Sequence, residues 1–211
     1  MTDTPSAANT VTIRERTPND LDRCAELLME VHHSDGYPVE GVADPRGWLT
    51  PKGTLISWVA EVDGSIAGHV SVAEGRDEDA VTLWRQAQPG CTASVAVLAR
   101  LFVPSARRGL GLGEQLTRQG MAYAAEQSMD LVLDVMEKDQ AAIRLYKRLG
   151  WLYLGPALHS LGQGARGKGQ GARGKRLKSR LIATDILARA DRSRQVGAMV
   201  AAIAAGCDQL R

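Results

Sequence analysis

The positions of apolar and polar residues predict that strands and helices alternate along this chain. Residues 11–16 alternate between apolar and polar side chains, which is typical of a strand with one buried face. Thr17 and Pro18 then offer an N-cap followed by proline at the first helical position, which favours a helix start. Apolar residues recur at helical spacing from Leu21 to Val31 and define one buried face of that helix.

A β-hairpin is predicted in the next part of the chain. Two strand-like runs, residues 57–62 and 66–72, flank the dipeptide Asp63-Gly64, which favours a tight turn between antiparallel strands. The residues before the hairpin have the composition of a loop, and a short helix is expected near residues 46–49.

The second half of the chain predicts strands joined by helices. Residues 75–92 are polar and irregular and are expected to form an excursion between strands. Residues 94–103 are a long apolar run that ends at Pro104, which predicts a central strand. The remaining predicted elements are a helix over 112–128, a strand over 131–135, a helix over 139–149 and a strand over 151–158. We therefore expect an α/β fold with a mixed, partly parallel central sheet flanked by helices.

The composition of the C-terminal part differs from that of the body. Residues 162–168 are repeated without change as 169–175, and basic residues within 162–180 account for the excess of 26 basic over 24 acidic residues. This segment is interpreted as a flexible linker, as an arm that samples nucleic acid, or as a sequence accident. The expected organisation is a disordered leader at 1–10, one domain with a buried core at 11–159, a basic Gly-rich linker at 160–180 and a partly helical segment at 181–211.

Cysteine usage and hydropathy exclude several classes of protein. Cys24, Cys91 and Cys207 lie far apart and form no CxxC pair, which argues against a disulfide framework and a zinc site. The adjacent His32 and His33 have no further ligand in the sequence pattern, so no metal is expected. No apolar run reaches membrane-spanning length and no secretory signal is apparent, so the sequence predicts a cytoplasmic protein.

A glycine-rich loop between a strand and a helix is the strongest chemical signal. Residues 104–113 read Pro-Ser-Ala-Arg-Arg-Gly-Leu-Gly-Leu-Gly between the predicted central strand and the helix that follows it. Glycines allow a tight turn, and the N–H groups at a helix N-terminus can cradle an anion. The loop has neither the Gly-Lys-Ser/Thr of a P-loop nor the GxGxxG of a dinucleotide fingerprint.

Two segments resemble the GNAT superfamily of N-acetyltransferases. Arg108, Gly111 and Gly113 match the acyl-CoA motif Q/R-x-x-G-x-G/A, and residues 139–151 are similar to the family segment N-x-x-A-x-x-L-Y-x-x-x-G-F. The order of predicted elements over residues 11–158 also resembles that family. The resemblance implies the GNAT fold, in which strands splay apart at the acyl-CoA site.

The resemblance also implies roles for individual residues. Tyr146 corresponds to a general acid that protonates the CoA thiolate as it leaves. Asp139 stands where the family usually has Asn, and an ionised Asp cannot donate a hydrogen bond. The residues implied to contact acyl-CoA are Leu101, Phe102, Val103, Arg108, Gly109, Leu110, Gly111, Leu112, Gly113, Asp139, Ala142 and Tyr146.

The base and the acceptor pocket are less clearly marked in the sequence. The central strand carries no carboxylate at residues 97–100, where some relatives place a base. Candidates for deprotonating an amine are Glu61 and His69, with Glu74 and Glu40 as further choices. In relatives, the acceptor pocket is shaped by the loop that here carries Tyr37, Glu40 and Trp48.

The expected function is transfer of acetyl from acetyl-CoA to a primary amine of a small molecule or peptide. Direct attack in a ternary complex is expected because no cysteine nucleophile is well placed. Nucleic acid is expected to bind only weakly, through residues 162–180, and a homodimer is left open. Two alternatives are a non-catalytic acyl-CoA-binding or regulatory module, and an RNA-associated protein that acts through the basic tail. Tyr146 could also be a plain core aromatic residue.

Overall fold

The computed structural model describes residues 9–160 and 176–184, with side chains described through residue 156. The predictions for the leader before residue 9, for the repeat at 162–175 and for residues 185–211 lie outside the described residues. The strands are β1 (Val11–Glu15), β2 (Thr54–Val62), β3 (Ser65–Glu74), β4 (Val95–Phe102), β5 (Asp130–Met136), β6 (Trp151–Ser160) and β7 (Arg176–Thr184). The helices are α1 (Leu21–Asp35), α2 (Pro45–Leu49), α3 (Asp79–Ala87), α4 (Leu112–Glu126) and α5 (Gln140–Arg148).

The strands form a mixed sheet in the order β1-β2-β3-β4-β5-β7-β6. The pairs β1–β2, β2–β3, β5–β7 and β6–β7 are antiparallel, whereas β4 and β5 run parallel. The expected α/β class with a mixed, partly parallel sheet is therefore confirmed. None of the helices in the described part of the chain is long and apolar enough to cross a membrane.

The predicted hairpin is present between β2 and β3. Val62 pairs with Ser65, and the two residues between them, Asp63 and Gly64, have φ angles of 51° and 75°. Both values lie in the left-handed region that a two-residue hairpin turn requires. The Asp63 side chain also accepts a hydrogen bond of 3.0 Å from the N–H of Thr10.

The described residues divide into two compact units, and the first comprises the described parts of Met1–Glu74 and Leu98–Ala122. Its core is built on the apolar face of α1 that the sequence predicts. The members of this core are Cys24, Leu27, Leu28, Val31, Leu49, Val59 and Phe102, each at most 4% exposed. Because α1 contributes four of these side chains, the helical period of the sequence determined which face of α1 is buried.

The second unit comprises the described parts of Gly75–Val97 and Tyr123–Arg211, and it contains a helix that the sequence did not predict. Residues 79–87, expected to be irregular, form α3, which lies against β5, β6 and β7. Its buried residues are Ala80, Val81 and Trp84. Leu83 and Ala87 continue the same helical spacing, so the apolar period is present in the sequence, but it extends over only nine residues within a polar stretch.

The strand β7 lies in a segment that the sequence divided between a linker at 160–180 and a partly helical segment at 181–211. It pairs with β5 from Val132↔Ala183 to Met136↔Ser179, and with β6 over its whole length. Main-chain N–H and C=O groups form such pairs whatever the side chains are. A cation-rich segment can therefore join the sheet although its composition does not indicate a strand.

Close packing in the first unit places a glycine of α4 against β4. An ideal Cβ on Gly120 would lie 2.4 Å from Leu98 Cδ1 and 3.4 Å from Val72 Cγ2. We expect Gly120→Val to lower the free energy of unfolding by about 2 kcal/mol, because overpacking a buried site forces its neighbours to move. Urea denaturation measures the change, with Ala122→Val at an exposed position of α4 as the control. Equal losses in the two variants would contradict the packing argument.

Candidate functional site

The glycine-rich loop leads from β4 to α4 through two residues with left-handed backbone. Gly109 and Gly111 have φ angles of 84° and 73°. An ideal Cβ on Gly109 would meet no atom within 4 Å, and one on Gly111 would meet only Gln115 Nε2, at 3.8 Å. Glycine is therefore required there by the backbone conformation, and the open space beside the loop can accept a ligand.

The helix that follows the loop supplies hydrogen-bond donors. Leu112 and Leu116 are almost fully buried and anchor the first turns of α4 in the first unit. The N–H groups of a first helical turn have no intrahelical acceptors, and the helix dipole makes this end attractive to anions. The main-chain N–H of Gln115 donates to Gly111 O at 3.1 Å, so the helical hydrogen bonds of α4 begin at Gly111. The loop and the helix end together fit a pyrophosphate group.

The Arg108 side chain holds the loop to its surroundings. Its Nε donates to Val103 O at 3.3 Å, and its Nη2 forms an ion pair with Asp35 at the end of α1. The guanidinium group is thus occupied by protein partners. The loop would therefore contact an anion chiefly through its main chain.

The strand β4 contains a local break in its regular conformation at Arg100. This residue has a φ of 54°, a left-handed value that is unfavourable for a residue with a side chain. The two carbonyl groups next to the break both accept hydrogen bonds from side chains of β3. Ser71 Oγ donates to Ala99 O at 3.2 Å, and His69 Nδ1 lies 3.0 Å from Arg100 O.

The break determines the direction of the next main-chain donor. Because Arg100 O and the N–H of Leu101 belong to one planar trans peptide, that N–H points away from the His69 ring. The recorded pairing of β4 with β5 runs from Val95↔Asp130 to Val97↔Val132, so Leu101 is not part of that ladder. The N–H of Leu101 is therefore a fixed donor at the end of β4.

His69 is fully buried next to the Phe102 ring and the Arg16 guanidinium group. Its exposed fraction is 0%, and its ring stacks on Phe102 with centroids 5.3 Å apart. Its Nε2 lies 3.3 Å from Arg16 Nη1. Burial and the nearby Arg16 and Arg100 guanidinium groups lower the pKa of His69 to about 3, so the imidazole is neutral at physiological pH.

Glu61, the other base candidate named with His69, belongs to an ion-pair network. Its Oε1 accepts hydrogen bonds of 3.0 Å and 2.6 Å from Arg14 Nε and Nη2. Arg14 also donates to Asp20, and these hydrogen bonds hold the pKa of Asp20 well below its usual range. The negative charge of Glu61, near the hairpin end of β2, is thus neutralised by the Arg14 guanidinium group. The further candidate Glu74 ends β3 and is exposed.

Of the three residues predicted to shape an acceptor pocket, Trp48 contacts both of the others. The rings of Tyr37 and Trp48 lie 5.8 Å apart and nearly perpendicular, and Trp48 Nε1 donates to Glu40 Oε1 at 3.3 Å. The Arg100 guanidinium lies 5.0 Å from the centroid of the Trp48 ring, and its Nε donates to Trp48 O at 2.5 Å. The side chain of Arg100, the residue at which β4 is irregular, therefore contacts Trp48 of the predicted acceptor loop.

Tyr146 lies in the second unit, on α5. It is 6% exposed, and its ring centroid lies 5.5 Å from that of Trp151. Burial, together with the charge of Asp139, raises the pKa of Tyr146 above its ordinary value, so the phenol stays protonated at physiological pH. Asp139 is the N-cap residue of α5, where its carbonyl accepts from Ile143 N at 3.1 Å, and Ala142 lies in the first turn.

The first unit thus brings the loop 108–113 to the end of β4 and places Arg100 against the Tyr37–Glu40–Trp48 group. Sequence reasoning did not single out Arg100, Ser71 or Arg16. Ser71 follows His69 at the two-residue spacing of one strand face, which is the only signal that could have indicated it. Among the described residues, no three His, Cys, Asp or Glu side chains are grouped to hold a metal ion.

Comparison with known protein families agrees with the two sequence motifs. The model of the acetyltransferase (GNAT) family matches residues 21–151. The mouse proteins N-acetyltransferase 8F1 and N-acetyltransferase 8B are each 31% identical to this chain over 105 residues, which is 49% of the chain. The chain covers only 42% and 40% of the length of these two relatives.

Comparison with solved structures identifies the same fold. The NAA60 protein of Arabidopsis thaliana in complex with acetyl-CoA superimposes with a TM-score of 0.61 and 22% identity, covering 84% of this chain and 99% of that one. The ribosomal-protein-alanine N-acetyltransferase of Brucella melitensis gives a TM-score of 0.59 with 21% identity, over 82% and 98% of the two chains. At such identities the likeness establishes the fold alone.

Proposed function

Because this chain belongs to the acetyltransferase (GNAT) family, we propose that it transfers an acetyl group from acetyl-CoA to a primary amine. The observation that carries the proposal is the loop with left-handed Gly109 and Gly111 directly before the N-terminus of α4. The relatives named N-acetyltransferase and the acetyl-CoA in the Arabidopsis neighbour support the same donor. The acceptor is a small-molecule or peptide amine, and the proposed compartment is the cytoplasm, as cysteine usage indicates.

The residues present fit acetyl-CoA. Main-chain donors from Arg108 to Gly113 hold the pyrophosphate, and the main chain of Leu101, Phe102 and Val103 holds the pantetheine arm. Asp139 and Ala142, at the start of α5, are proposed as further contacts. The bound donor supplies an activated acetyl thioester.

Transfer is proposed to occur by direct attack of the amine on the thioester carbonyl carbon, with cleavage of the C–S bond. The N–H of Leu101 stabilises the negative charge that develops on the carbonyl oxygen. Tyr146, kept protonated by burial, gives a proton to the CoA thiolate. Burial raises the pKa of the Cys24 thiol to about 11, so this thiol is a poor nucleophile, which favours direct attack over an acyl-enzyme.

A base must remove a proton from the acceptor, which as an alkylammonium is almost entirely protonated at neutral pH. Among the base candidates, Glu40 is the one connected through Trp48 to Arg100 at the break in β4. Glu61 is occupied by Arg14, and the Nε2 lone pair of His69 faces the Arg16 guanidinium. We therefore assign Glu40 as the base, acting through water.

The proposal is tested by measuring thiol release from acetyl-CoA in the presence of a panel of primary amines. We expect amine-dependent release by the full chain, and Glu40→Gln is expected to lower kcat/KM by about 100-fold because the base is lost. Glu61→Gln is the matched control, expected to lower stability while leaving the rate within about threefold. Equal rate losses in both variants would refute the assignment of Glu40.

The same assay separates an enzyme from a binding module. Saturable acetyl-CoA binding without amine-dependent thiol release, over small amines, polyamines and peptides, would contradict the catalytic proposal and indicate a non-catalytic acyl-CoA-binding module. Absence of acetyl-CoA binding by a folded sample would contradict the assignment of the glycine-rich loop.

A further inference from the structure

We propose that His69 is a positioning residue which, together with Ser71, holds Arg100 in its left-handed conformation and thereby aims the N–H of Leu101 at the acetyl group. The inference rests on the proposed function, because the direction of that N–H matters to catalysis only where an acetyl thioester binds. It gives His69 a role in which the imidazole exchanges no proton with the substrates.

The first support is the burial of two polar side chains beside one irregular peptide. His69 and Ser71 are both 0% exposed. A buried polar group is unfavourable unless it is hydrogen-bonded, and these two groups contact the consecutive carbonyls of Ala99 and Arg100. In a regular strand consecutive carbonyls point in opposite directions, so the two β3 side chains accommodate an irregularity that main-chain pairing alone would leave unsatisfied.

The second support is the tautomer that the neighbours of His69 impose. Arg16 can only donate, so the Nε2 atom at 3.3 Å from its Nη1 must be the acceptor. Nδ1 therefore carries the hydrogen, and it donates to Arg100 O, which can only accept. Each nitrogen has a fixed partner of the matching type, and the imidazole has no site left for an acceptor amine.

The third support is that the Arg100 side chain is also fixed by contacts with the protein. Its guanidinium lies over the Trp48 ring and donates to Trp48 O, while Arg16 Nη1 donates to Leu49 O at 3.0 Å. At the end of α2, Trp48 O thus accepts from Arg100 itself. Leu49 O accepts from Arg16, which in turn contacts His69 beside the break in β4. A left-handed Arg persists only where its surroundings determine it, and such positions concentrate at functional sites.

The proposal is tested by comparing His69→Leu with His69→Asn, whose side-chain N–H can replace Nδ1–H but offers no base. By calorimetry, His69→Leu is expected to bind acetyl-CoA about tenfold more weakly, with a smaller loss for CoA, because one aimed hydrogen bond to the acetyl carbonyl is lost. His69→Asn is expected to restore acetyl-CoA affinity to within about threefold of the native chain. His33→Leu, at an exposed histidine whose Nδ1 contacts Met29 O, is the control and is expected to change neither affinity.

A second measurement does not depend on acetyl-CoA. Nitrogen-15 NMR of the native chain, which has four histidines, is expected to show His69 as the neutral Nδ1–H tautomer throughout pH 5 to 8. An Nε2–H tautomer or a titrating imidazole would overturn the proposal, as would unchanged acetyl-CoA affinity in a folded His69→Leu variant. If the native chain itself binds no acetyl-CoA, the proposed function fails, and the NMR result still decides whether His69 holds Arg100.

Discussion

Replacing Gly111 with tryptophan is expected to weaken acetyl-CoA binding by at least about 100-fold, since the new side chain covers the main-chain donors of the loop. Gly111 has a φ of 73°, and the space beside its Cα is open apart from Gln115 Nε2 at 3.8 Å. The indole therefore has room beside the loop without displacing protein atoms. Isothermal titration with acetyl-CoA, and with CoA, measures the loss.

Gly64→Trp provides a control with nearly the same backbone strain. Gly64 lies in the β2–β3 turn with a φ of 75°, and an ideal Cβ there meets nothing within 4 Å. Both substitutions force a side chain into left-handed backbone, which costs about 1–2 kcal/mol each. Acetyl-CoA affinity is expected to survive Gly64→Trp. If both variants retain it, the pyrophosphate does not lie in the loop 108–113.

Removing the phenolic hydroxyl of Tyr146 is expected to lower kcat by about 100-fold at pH 7, with little change in the KM for acetyl-CoA. Phenylalanine keeps the ring that packs 5.5 Å from Trp151, so the variant is expected to fold. The loss is assigned to the proton that the leaving thiolate no longer receives. Stopped-flow or steady-state thiol release with an acceptor from the amine panel measures the effect.

The pH dependence distinguishes an acid from a packing residue. A free thiol ionises near pH 8.5, so a leaving thiolate needs no proton above about that pH, and the deficit of Tyr146→Phe is expected to shrink as pH rises from 7 to 9.5. The native chain is not expected to lose the proposed activity through ionisation of Tyr146 in this interval, because burial raises the pKa of Tyr146 above its ordinary value.

Tyr153→Phe is the matched control for this prediction, since Tyr153 is 47% exposed on β6. It is expected to leave both kcat and its pH profile unchanged. A deficit for Tyr146→Phe that stays constant from pH 7 to 9.5 would show that Tyr146 supports the fold of α5 and does not act as the acid.

Much of the fold was predictable because local patterns and tertiary packing agree. The apolar period of α1 placed Cys24 and Leu28 in the core, and Asp63-Gly64 indicated a turn that the structure confirms. The helix α3 was missed because its apolar period extends over only nine residues within a polar stretch. For the last strand the sequence offers only a poor candidate at 177–186, and β7 forms there because strand pairing uses main-chain groups, whatever the side chains are.

The local geometry of some candidate site residues also follows from the sequence. Motif spacing singled out Gly111 and Tyr146 as candidates, and the structure gives Gly111 a left-handed backbone before α4 and places Tyr146 on α5. No pattern indicated that Arg100 adopts left-handed backbone, because arginine has no preference for that conformation. Its conformation depends on Ser71 and His69, which lie about thirty residues earlier in the chain.

The sequence by itself therefore determined the family, the fold class and the glycine-rich loop, because each depends on the order and spacing of residues along the chain. The tertiary structure alone decided the surroundings of His69, its lowered pKa and the direction of the Leu101 N–H. These properties depend on which groups meet across strands and on how much water is excluded. Desolvation and hydrogen bonding between distant residues are invisible in a linear pattern.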